Sequence, residues 1–142
     1  MIDLPLASDI QPGEDFTRFI LTQKHYSVDK KRVKPPALLP MLSATTNRWE
    51  TSTHRVQGLP VAEIWNLGYE HVENRPASRI IKARGQGSFD LAKSAGLSLD
   101  VNGPPYPRHV DLIGWSPTDK DVRLMKATEI ADKLLLVIDP RT

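Results

Sequence analysis

Residues 108–140, RHVDLIGWSPTDKDVRLMKATEIADKLLLVIDP, restrict the fold more than any other stretch of the chain. Ser116 can cap a helix, Pro117 suits its first turn because the donor it lacks is unused there, and Asp119 sits beside the positive helix end. A second cap register pairs Thr118 with Asp121. Leu124, Ala127, Ala131, Leu134, Leu135 and Ile138 then recur at three- and four-residue spacing, while Lys120, Arg123, Lys126, Asp132 and Lys133 fall elsewhere around the helix. The spacing predicts a long C-terminal amphipathic helix with one narrow apolar face. A sheet or a second helix has to cover that face. Immediately before it, Val110 and Leu112 alternate with His109, Asp111 and Ile113, the pattern of a half-buried strand.

Taken in order, residues 1–11 read as an irregular lead and residues 14–23 as a short helix with Phe16, Phe19 and Ile20 on one face. Residues 24–40 combine Lys24, Lys30, Lys31, Arg32 and Lys34 with Pro35, Pro36 and Pro40. They are expected as a surface loop or as an extended basic, proline-rich arm able to reach a partner. The threonine-rich segment 43–56 favours strand. Pro60 and Glu63 open a helix running to Val72, weakened by Gly68. A third unit begins near Ser78 with a brief strand over 79–83, a glycine break at 85–87 and a helix capped by Ser88 and stopped by Gly96. An alternating strand over 97–101 follows. The loop 102–107 is too short for a parallel crossover, so the strands on either side of it are expected to pair antiparallel.

These elements predict an α+β fold: a small mixed or antiparallel sheet packed by three or four helices, in a single domain over residues 1–142 with a candidate arm at 24–40. The chain has no cysteine, which excludes disulfides, thiol nucleophiles and thiolate metal sites. Without a basic leader followed by an apolar run, or a stretch of about 18 apolar residues, it is expected to be soluble and cytoplasmic, with no membrane partner. A formal charge of +2 implies no polyanion by itself. Two local runs do more: residues 24–34, and Arg75, Arg79, Lys82 and Arg84.

The segment ARGQGS, residues 83–88, places two glycines between a predicted strand and a predicted helix, where free amides, Arg84 and Ser88 could meet an anion. It matches neither common nucleotide-loop motif. The histidines His25, His54, His71 and His109 have no metal-ligand spacing, and neither metal nor cofactor is expected. Arg48, His54, Arg55, Arg108 and His109 form a constellation only if two strands end side by side. Two imidazoles could then divide acid and base roles near neutral pH, and the guanidiniums could hold a phosphate. Ser52 next to His54 lacks an elbow motif, and no triad is drawn from Ser52, His109 and Asp111. Tyr106 and Trp115, flanking the Arg108 strand, are candidate ligand walls.

The sequence contains no complete catalytic signature. Its leading functional expectation is a small intracellular binding module for a protein partner or a phosphate-containing ligand, RNA or DNA among them. Ligand-binding candidates are Arg48, Arg55, Arg84, Ser88, Arg108, Tyr106 and Trp115. The alternatives are a metal-independent phosphotransfer or nuclease-type enzyme using His54 and His109, and a structural or assembly subunit with a capacity to form homo-oligomers.

Overall fold

The computed structural model describes residues 9–73, 79–101 and 107–141. Nine strands form among them: β1 (Asp15–Ile20), β2 (Tyr26–Ser27), β3 (Arg32–Val33), β4 (Met41–Leu42), β5 (Trp49–Arg55), β6 (Ala83–Ser88), β7 (Ser98–Asp100), β8 (His109–Ile113) and β9 (Leu135–Ile138). Three α-helices accompany them: α1 (Val61–Gly68), continued by a π turn over Tyr69–Glu73, α2 (Asp90–Ser94) and α3 (Lys120–Ala131). Six strands run across one antiparallel sheet in the order β7-β8-β5-β1-β6-β9, β4 adds to β5 as a seventh, and β2 pairs with β3 in a separate hairpin.

The expected fold class is therefore corrected. The molecule is dominated by strands in a large antiparallel sheet, not a small sheet wrapped in helices. Three local misreadings produced the error. The segment 14–23 contains β1, the central strand, whose two faces are both buried. Phe16 and Ile20 point one way and Phe19 the other, so apolar residues at i, i+3 and i+4 imitate a helix. The long C-terminal helix stops at Ala131, and the apolar run beyond it is the edge strand β9 paired with β6. The supposed glycine break, ARGQGS, is strand β6 throughout, paired with β1 along its whole length and with β9 over Ala83–Gln86.

One sheet face carries the main core. Phe16, Ile20, Ala83, Val110 and Leu112 meet Phe89 beside α2, Ala127, Ile130 and Ala131 of α3, and Leu134. Two glycines of β6 are explained here: a Cβ on Gly85 would stand 3.0 Å from Leu134 and Val33, and one on Gly87 would stand 2.6 Å from Leu134. Residues 24–40 do not extend away from the body. They form a 3-10 turn, the β2–β3 hairpin and a second 3-10 turn, with Tyr26, Val33, Ala37 and Leu38 buried in the same core. Lys31 of the hairpin turn and Asn47 adopt left-handed φ of 51° and 56°. For a lysine this costs on the order of 1 kcal/mol relative to ordinary backbone.

On the opposite face α1 covers only part of the sheet. Ile64 and Trp65 pack on Phe19, Val56 and Ile81. Gly68 permits the close approach, because a Cβ there would lie 2.6 Å from the Phe19 ring. The remainder of this face is lined by polar side chains. No helix among the described residues is long and apolar enough to cross a membrane.

Candidate functional site

The polar face follows from strand register. His54 of β5 is the cross-strand partner of His109 on β8, and Ser52 of Asp111. On the other side of β5, His54 stands opposite Thr17 of β1, which stands opposite Gln86 of β6. Because alternate residues share a face, His109, His54, Thr17 and Gln86 form a row across four strands. Arg84, two residues from Gln86, lies on the same face. His54, His109, Asp111, Thr17 and Arg84 are all buried.

At the β5–β8 end the two imidazole centroids are 6.0 Å apart at 77°, and His54 also meets the Phe19 ring edge-on at 5.3 Å. The His109 Nε2 lies 3.3 Å from Ser52 Oγ and 3.4 Å from Asp111 Oδ1, and Ser52 Oγ reaches Asp111 Oδ1 at 3.4 Å. This triangle is not a nucleophilic relay. A relay uses opposite imidazole nitrogens for serine and carboxylate, whereas here one nitrogen faces both and the serine hydroxyl is directed at the carboxylate.

The arginines expected to surround the histidines are used elsewhere. Arg55 alternates with His54 and points through the sheet to Glu14, which it binds at 2.7 and 3.1 Å in a fully buried pair. Arg108 donates from Nη1 to the carbonyls of Arg55 and Gln57 at 3.1 and 3.2 Å. Arg48, at the far end of β5, pairs with Glu50 and Asp100, which raise its pKa further. Trp115 is a core residue, buried and donating Nε1–H to the Leu112 carbonyl at 3.0 Å, so the expected ligand wall is not there. Ser88 accepts from the Asp90 amide at 3.0 Å and so opens α2. Residues 83–88 are a strand paired with β1 along its whole length and not the strand-to-helix loop expected of an anion cradle. Tyr106 lies outside the described residues.

Arg84 differs from the buried Arg55, which has Glu14 as its counter-charge. It is 3% exposed, and no described carboxylate forms an ion pair with it. Its Nη1 donates to Gln86 Oε1 at 2.5 Å and, at a weak 3.4 Å, to Thr17 Oγ1, while its Nε has no hydrogen-bond partner among the described residues. The guanidinium lies 5.1 Å from the centre of the Trp65 ring. Burial alone pushes its pKa below the ordinary arginine value, as expected for a cation removed from water without a counter-charge. Gln86 is itself oriented by Asp15, to which its Nε2 donates at 3.0 Å. Thr17 donates its hydroxyl proton to the Gly85 carbonyl at 3.0 Å.

Thr17, Gln86 and Asp15 were absent from the sequence candidates. Strand alternation could have found them: Arg84, Gln86 and Ser88 alternate with Ala83, Gly85 and Gly87, and Asp15 and Thr17 occupy one side of β1. Among the described residues no group of three or more His, Asp or Glu is placed to hold a metal. No family model matches the chain, and it has no significant match among curated proteins or solved structures.

Proposed function

We propose that the protein is a binding module whose polar sheet face takes a phosphate-bearing ligand, with Arg84 supplying the counter-charge and Thr17 and Gln86 orienting its guanidinium. The observation that carries this reading is the burial of Arg84 with no carboxylate partner and an unused Nε–H among the described residues. An uncompensated buried ion costs several kcal/mol, and an anion that arrives with the ligand removes much of that penalty. A planar guanidinium with free donors also matches phosphate geometry. Inorganic phosphate, pyrophosphate and nucleoside phosphates, titrated while melting temperature is followed, test it directly. Saturable stabilisation is expected, about 2.7 kcal/mol when ligand reaches a hundredfold its Kd. The same titration on Arg84→Met should show none; equal shifts in both proteins refute the site.

A second reading rests on the register of His54 and His109. Imidazoles at 6.0 Å are close enough for one phosphoryl group to touch both, as acid and base catalysis requires. It expects metal-independent cleavage of an activated phosphodiester that disappears in His109→Ala while the fold survives. Turnover unchanged by that substitution removes it.

A further inference from the structure

The β2–β3 hairpin lies on the side of the sheet opposite Arg84, packed against the main core through Tyr26 and Val33. Residues 24–34 hold five basic side chains, Lys24, Lys30, Lys31, Arg32 and Lys34, against the single acid Asp29. That is a local charge of +4 in a chain whose total is +2, so the remainder of the molecule is net negative. Residues 24–34 thus carry a local excess of positive charge that the rest of the chain, taken as a whole, does not. Lys24, Lys30, Lys31 and Arg32 are exposed, and none of the five pairs with a described carboxylate, Asp29 included.

Hydrogen bonds also hold the hairpin's turn and its ends. The Lys31 amide donates to the Val28 carbonyl at 3.1 Å, the Lys30 amide to Ser27 Oγ at 3.1 Å, and the Lys34 amide to the His25 carbonyl at 2.9 Å. Its turn places Lys31 at φ 51°, where glycine or asparagine fits without strain. Lysine there contributes nothing to the turn that glycine would not; it contributes a fourth exposed cation. A local rule broken without a compensating contact inside the fold points outward, to a partner.

We infer that the β2–β3 hairpin is a docking surface for a nucleic-acid backbone. Cations on a fixed hairpin suit the dense, regular charge of a phosphodiester chain. Four of the five are lysines, which act as point charges, so the contact positions the chain on phosphates without reading bases. A lipid surface is disfavoured because the exposed tip carries one apolar residue, Val28, and no aromatic anchor. The inference is independent of the Arg84 reading: the two surfaces lie on opposite sides of the sheet, and Arg84→Met should leave hairpin binding unchanged.

Fluorescence anisotropy with a 20-base-pair DNA duplex and a single-stranded RNA of equal length provides the test. With about four phosphates neutralised, affinity for the duplex should fall on the order of a hundredfold between 50 and 200 mM salt. Lys30→Gln and Arg32→Gln should each lower the salt slope by about one. Lys31→Gly is the discriminating variant, because it should raise the melting temperature by about 2–4 °C while weakening duplex binding severalfold. A Lys31→Gly protein that binds duplex as well as the wild type overturns the inference. So does binding to anionic vesicles or polyglutamate with none to either nucleic acid, and so does no binding to any polyanion at 50 mM salt.

Discussion

Replacing Arg84 by methionine should make the ligand-free protein more stable. Methionine keeps the length of the stem and fills the same irregular space beside Trp65. The substitution gives up the hydrogen bond to Gln86 Oε1, charge-assisted and worth about 1.5–3 kcal/mol. It also gives up the contact with the Trp65 ring, about 0.5–2 kcal/mol, and a 3.4 Å interaction with Thr17 that is too long to count for much. In return it removes a desolvation penalty of several kcal/mol that no carboxylate offsets. Neither neighbour is stranded: Gln86 is only partly buried and can turn its oxygen to water, and Thr17 keeps its bond to the Gly85 carbonyl. Taking that penalty as about 5 kcal/mol, the balance runs from about zero to about 3 kcal/mol in favour of methionine. For a 142-residue chain each kcal/mol moves the melting temperature by about 3 °C, so a rise of up to about 9 °C is expected. Urea and thermal melts at pH 7 in buffer free of phosphate and sulfate measure it. A variant that melts below the wild type by more than about 1 kcal/mol refutes the reasoning, because it would show that the guanidinium is already compensated within the fold.

The Glu14–Arg55 pair behaves in the opposite sense: Glu14→Gln should cost about 3–5 kcal/mol by removing the carboxylate charge that Arg55 binds in the core, with the double variant Glu14→Met, Arg55→Met recovering much of the loss in urea titrations. Gly68→Ala should destabilise by about 1–3 kcal/mol because its methyl group meets the Phe19 ring and Ile81, whereas the same change on an open helix stabilises. Acid unfolding should depend on Arg141. Its hydrogen bond holds Glu73 below the usual carboxylate range, and at Asp139 burial pushes the pKa up but bonds from Arg141 and Tyr69 outweigh it and keep the group low. Depressed folded-state values give stability that is full above the ordinary carboxylate range and is lost as pH falls through the lower folded values. Arg141→Gln should therefore raise the pH of the acid transition followed by circular dichroism; an unmoved transition removes this account.

What the sequence disclosed depended on how many faces of each element are buried. The strands β5, β7 and β8 have the alternation of half-covered strands, and the antiparallel pairing of β7 with β8 was deducible from the short loop alone. The split of Thr51, Thr53 and Arg55 from Ser52 and His54 was equally plain. β1 and β9 lacked that signal for different reasons. β1 is apolar on both sides, and β9 prolongs the apolar spacing of α3 without a proline or glycine to mark the junction at 132–134. β6 was misread because Gly85 and Gly87 mark a close approach by Leu134, an event far off in sequence that no local rule reveals. For the site, the meeting of His54 with His109 needed only the right strand neighbours. The diversion of Arg55 to Glu14 could not be anticipated, since it depends on which acid each guanidinium meets across the sheet.

Strand order has a kinetic consequence. β1 occupies the middle of the sheet, yet its partners include Arg55 on one side and Gln86 on the other, so neither ladder can zip outward from a tight turn. Closing such distant pairings is entropically slow, and folding on the order of milliseconds to seconds is expected instead of the microseconds open to helical bundles. Until β6 arrives, one edge of the Phe-Thr-Arg-Phe-Ile strand stands unpaired. Refolding yield should accordingly fall as protein concentration rises, through association at that edge.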